Sequence, residues 1–81
     1  MTTKSKAAML ADAALELRVY ARKAGYITDD LAADAIAVLQ TRWEKAGIKL
    51  VPLSTRAVVK KAQLEFHRNG ELYPYREASQ R

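Results

Sequence analysis

Side chains able to hold an anion or read a base edge recur along one stretch, STRAVVKKAQLEFHRNG, from Ser54 to Gly70. Arg56, Lys60, Gln63 and His67 follow one another at intervals of four, three and four residues. On a helix that spacing makes a continuous ridge. Lysine and arginine bind phosphate through charge, and the arginine and glutamine forks also match guanine and adenine edges. Lys61 and Arg68 fall beside the ridge, within reach of a phosphate backbone. Ser54 and Thr55 stand where the helix should begin, and hydroxyls with free amides at a helix start can hold a phosphate. Glu65 is the one acidic residue of the stretch, and Lys61, four residues earlier, can pair with it. On the opposite side of the same wheel Val58, Val59, Ala62 and Phe66 share an arc and should face a core.

The expected nucleic-acid-binding set is therefore Ser54, Thr55, Arg56, Lys60, Lys61, Gln63, His67 and Arg68. The expected function is non-enzymatic binding of double-stranded DNA, in transcriptional regulation or in the control of a plasmid or phage. The chemistry comes from the helix surface and not from a known motif. A helix-turn-helix joins its helices by about three or four residues, whereas Gly47 to Leu53 forms a longer connection here. A second function class competes. Leu64 falls away from the core arc, and Leu15 and Val19, one turn apart, form a thin second stripe on an earlier helix. Leu15, Val19 and Leu64 would be the protein interface of a small adaptor or inhibitor. Lys60, Lys61 and Arg68 would then steer it to an acidic protein surface.

Little else in the chain offers chemistry. His67 is the only histidine and there is no cysteine, so neither a histidine cluster nor a Cys-His pair can form. Disulfides and cysteine-based zinc sites are excluded with it. Asp29, Asp30 and Asp34 are close in sequence, but a helix N-terminus accounts for acidic residues without a cation. The three glycines are isolated and form no phosphate loop. The four tyrosines and Phe66 form no stacking platform for single strands. No enzyme activity, metal or cofactor is expected.

The positioning elements follow from periodicity and stop signals. The first helix is expected over Lys4–Lys23, with Leu10, Ala13, Ala14, Leu17, Tyr20, Ala21 and Ala24 on one face and Met9 at its margin. Gly25 ends it. Thr28 or Asp29 caps a second helix reaching about Lys45, with Leu31, Ala32, Ala35, Ile36, Val38, Leu39, Trp43 and Ala46 apolar. Arg42 borders that face and should snorkel or pair. Gly47 stops this helix. Ser54 or Thr55 caps the third, which runs to about Arg68 and closes at Asn69-Gly70. The fold class is all-α, a small three-helix domain over residues 1–81 with frayed ends near 1–3 and 77–81. There is room for a minimal two-stranded ribbon pairing residues 48–51 with 71–75, shortened by Pro52 and Pro74, and equally for an unpaired extended tail that packs its tyrosines on the helices.

Composition agrees with a single small domain. Half of the 81 residues are apolar, enough for a core, but many are alanine, which buries little area. Self-association would complete such a core. The net charge of +5 is uneven: residues 1–46 carry seven basic and six acidic side chains, residues 47–81 seven and three. An anionic partner should meet the C-terminal half. Asp12, Glu16 and Arg18 interrupt any signal-peptide core, and no stretch reaches the ~20 apolar residues of a membrane span. A cytoplasmic location is expected.

Overall fold

The computed structural model describes residues 4–77. Three helices carry the fold: α1 (Lys6–Ala24), α2 (Asp29–Lys45) and α3 (Thr55–Arg68). Each opens on a hydroxyl cap. Ser5 Oγ accepts from the Ala8 amide at 3.1 Å, Thr28 Oγ1 from Leu31 at 3.0 Å and Ser54 Oγ from Ala57 at 3.4 Å. The caps satisfy amides that the first helical turn leaves open. α1 starts two residues later than its periodicity indicated because Ser5, in extended conformation, takes the capping position.

The last two helices end alike. Gly47, at φ 76, and Gly70, at φ 77, hold the left-handed conformation that glycine adopts without steric cost. The Gly47 and Ile48 amides bond the Glu44 and Trp43 carbonyls; those of Gly70 and Glu71 bond His67 and Phe66. This is the Schellman closure in both cases. It turns Ile48 back toward the core after α2 and reverses the chain after α3.

α1 is the central helix and packs on both others. Its Ala13, Ala14 and Ala21 are buried, as are Ala32 and Ala35 of α2 and Ala62 of α3. Small side chains at the contacts let the helices approach closely. Met9, Leu17, Ile27 and Val58 are the largest side chains buried completely, with Trp43 and Phe66 nearly so. Met9 stands at the margin of the α1 wheel yet is fully buried, because neighbours on two sides widen the buried arc of a central helix. Ala24 and Ala46 lie at helix ends beyond that cover and are exposed. No helix among the described residues is long and apolar enough to cross a membrane.

Of the two arrangements open to residues 71–75, the ribbon with 48–51 does not form and the extended tail does, with Tyr73 and Tyr75 packed on the core; no β-strand occurs among the described residues. Residues 71–77 instead run as an extended strap to the α1–α2 turn. The Ile27 amide donates to Pro74 O at 2.9 Å, and the Arg76 amide donates to Ile27 O at 2.8 Å. Ile27 is completely buried, and its backbone groups lie outside both helices. Buried peptide groups need partners, and the strap supplies them. Residues 48–53 form a connector whose Ile48, Val51 and Leu53 pack on the core. The fraying expected near 1–3 and 77–81 concerns, Glu77 apart, residues outside the described stretch.

Candidate nucleic-acid interface

α3 divides its side chains as its sequence indicates. Val58, Val59, Ala62 and Phe66 are its buried residues. Arg56, Lys60, Gln63 and His67 are all exposed, and so is Arg68. At about 1.5 Å per residue the ridge from Arg56 to His67 extends ~16 Å along the helix. Lys61 lies to the α1 side and pairs with Glu65 at 3.2 Å. It lines a cleft of about 160 Å³ with Leu15 and Arg18 of α1. Ser54 is engaged as the helix cap, and Thr55, the first helical residue, is half-buried.

Charge elsewhere is largely settled within the protein. Lys4 pairs with Asp12 and Arg42 with Glu16, the latter at 3.4 Å. Arg18 and Arg22 both reach Glu71 of the strap. Arg76 lies over the Tyr26 ring, 4.8 Å from its centre. Arg56, Lys60 and Arg68 form no ion pair among the described residues. The remaining exposed lysines are scattered: Lys6 and Lys23 near the ends of α1, Lys45 at the end of α2, Lys49 in the connector. With Arg56, Lys60 and Arg68, α3 carries more such uncommitted cations than either other helix, among the described residues.

The strap flanks the ridge without covering it. Tyr73 meets Phe66 edge-on, ring centres 5.6 Å apart. The Tyr75 hydroxyl donates to Asp29 at 2.9 Å. That hydrogen bond raises the Tyr75 pKa, burial adding to it. Arg56, Lys60 and Gln63 border a small cleft with Asp29 and Tyr75. Toward the other end, Lys60, Gln63, Leu64 and His67 border a larger groove with Leu72 and Tyr73. The eight expected nucleic-acid contacts therefore do not share one cavity; four form the outward ridge, and Lys61 belongs to the opposite flank.

The expected protein interface is also divided. Leu15 and Val19 are 58% and 54% exposed on α1, and Leu64 is 67% exposed on α3. Leu64 lines the groove beside the strap, whereas Leu15 lines the cleft between α1 and α3.

The Glu71 clamp has no signal in the sequence. Its partners lie 53 and 49 residues away. Arg22 first, then the Tyr73 hydroxyl and Arg18, hold its carboxyl well below the usual range, at about 2. The clamp therefore strengthens the fold fully above pH 4.5, the ordinary value, and this contribution is lost as pH falls toward 2. Glu71→Gln should lower Tm at neutral pH. The gap between variant and wild type should close across that acid window in a thermal melt followed by circular dichroism. A gap independent of pH would show that the charge of Glu71 is not what holds the strap.

Among the described residues no group of three or more His, Cys, Asp or Glu side chains converges in a way that could hold a metal ion. The chain matches no family model, no curated protein and no solved structure in comparisons with all three.

Proposed function

We propose that this is a non-enzymatic double-stranded DNA-binding protein that presents α3 to the major groove. The observation that carries the reading is the exposed ridge of Arg56, Lys60, Gln63 and His67, in which Arg56 and Lys60 form no ion pair among the described residues, whereas Arg18 and Arg22 of α1 are tied to Glu71. In this reading Arg56, Lys60 and Gln63 address base edges. Arg68 and Lys61 contact phosphates, Lys61 by exchanging Glu65 for the backbone. His67 continues the ridge as a hydrogen-bonding group. Ser54 and Thr55 bring the helix start to a phosphate.

The connection of residues 46–54 is too long for a helix-turn-helix, so α3 enters the groove as a single element and not as half of that motif. Exposed Leu15 and Val19 supply a patch for self-association, and a homodimer would place two copies of α3 on one duplex. Regulation of transcription, or of a plasmid or phage, is the corresponding role, and a cysteine-free chain suits a reducing cytoplasm.

The test is fluorescence anisotropy with random-sequence duplex across a salt series. Binding at nanomolar to micromolar concentration should weaken linearly on a log–log plot, with a slope of ~0.9 per phosphate contacted. The phosphate contacts of Lys61, Arg68 and the helix start, roughly two to three in number, would give a slope of about −2 to −3. Absence of binding at low salt would overturn the proposal.

A further inference from the structure

The strap creates a groove that the ridge by itself does not explain. It has a volume of about 520 Å³ and lies open between α3 and residues 71–73. Volumes of ~300–1,000 Å³ are typical of binding sites. Phe66 and Ile27, both buried, form its floor. Leu64 and Leu72 form its lips and are the most exposed large apolar side chains described, at 67% and 76%. Neither supports the core, and their chemistry is wrong for a phosphate backbone.

The polar border is one-sided in charge. Lys60 forms no ion pair among the described residues, and Gln63 and His67 add hydrogen-bonding groups. The only carboxylate of the lining, Glu71, is turned to Arg18, Arg22 and the Tyr73 hydroxyl. An occupant therefore meets apolar surface in the middle and net positive charge around it.

We infer that this groove docks an acidic amphipathic peptide segment of another protein, with a large apolar side chain seated between Leu64 and Leu72 and carboxylates facing Lys60. An amphipathic segment laid into an apolar groove is a general mode of recognition. A second copy of this chain fits poorly. Its acidic outer surface on α2, Asp30 and Asp34 with Ala33 and Ala37, offers no large apolar side chain to fill the groove. The inference does not depend on DNA binding, although Lys60 would serve both ligands and make them compete.

The test uses the full chain and a fluorescein-labelled peptide of about 15 residues, with leucines on one helical face and glutamates elsewhere. A second peptide replaces every glutamate by lysine. The glutamate peptide should bind at micromolar concentration, and the lysine peptide on the order of tenfold more weakly or worse. Leu72→Asp, at a solvent-facing position, should keep the fold by circular dichroism and weaken the glutamate peptide by about tenfold or more. Duplex affinity should be unchanged in Leu72→Ser, which removes the apolar side chain without placing a carboxylate beside Lys60, whereas Arg56→Ala, outside the groove, should weaken duplex and leave the peptide unaffected.

Those arms separate this inference from the DNA proposal. Equal peptide affinity in wild type and Leu72→Asp overturns it, as does equal affinity for the two peptides or no binding of either. Loss of duplex affinity in the uncharged Leu72→Ser assigns the groove to DNA and also overturns it. Self-association abolished by Leu72→Asp, with no peptide binding, overturns it in favour of a second copy.

Discussion

Replacing Arg56 and Lys60 together by glutamate should lower affinity for duplex DNA by on the order of a hundredfold or more at low salt. Both side chains are exposed and unpaired, so the change breaks no contact that the fold needs. Each charged hydrogen bond to a phosphate or base contributes about 1.5–3 kcal/mol. Losing two of them gives ~3–6 kcal/mol, and ~1.4 kcal/mol corresponds to tenfold. With both cations on base edges the salt slope should change little while affinity falls. A fall in slope of about 2 would place both on phosphates instead. Control reversals at Lys23 and Lys45, exposed but on other elements, should have much smaller effects. Equal losses at control and ridge positions would reduce the interaction to net charge, and unchanged affinity in the double variant would remove α3 from any DNA interface.

Phe66→Ala should cost the fold about 3–5 kcal/mol. The ring is almost completely buried and touches more than the helical core. It lines the groove beside the strap and the cleft between α1 and α3, and it holds Tyr73 edge-on at 5.6 Å between centres. Truncation removes the packing of all three contacts and leaves a cavity that a helix this constrained cannot collapse. A domain of this size has only ~5–15 kcal/mol in total. Each kcal/mol is worth roughly 4–8 °C, so Tm should drop by at least ~12 °C. Phe66→Leu should cost much less, because it preserves most of the apolar volume. Urea melts with circular dichroism would measure both. A loss below ~1 kcal/mol for the alanine variant would mean that the strap and α3 are not packed as described.

The two variants probe different kinds of information. Arg56 and Lys60 could be placed on one exposed ridge from spacing alone, because a helix fixes the angle between residues four apart. The same rule placed Val58, Val59, Ala62 and Phe66 on the buried arc and Lys61 against Glu65, and the structure has both. Glycines 25, 47 and 70 and the hydroxyls of Thr28 and Ser54 marked helix ends because capping is local chemistry. The choice between Thr28 and Asp29 as cap, and between Ser54 and Thr55, was left open by sequence; one residue of backbone conformation decides each.

What the sequence left undecided was the path of the chain after α3. Alternation and aromatic content marked residues 71–75 as extended, but gave no direction in which to seek a partner. A ribbon with 48–51 and an unpaired tail packing its tyrosines on the helices were equally open. The strap goes instead to Ile27, whose buried amide and carbonyl have no helical partner. No pattern near Glu71 announces Arg18 and Arg22, and the groove lined by Leu64 and Leu72 exists only because the strap returns along α3.

The sequence by itself determined the three helices, their ends, the buried arc of α3 and the cationic ridge opposite it. Each of these follows from interactions within a few residues. Tertiary structure alone decided that α1 is central enough to bury Met9, that Leu15 and Val19 remain in solvent, and that Glu71 locks the strap to α1. Those outcomes depend on which buried backbone and charged groups find one another across more than forty residues, and desolvation makes an unmatched group costly wherever it lies.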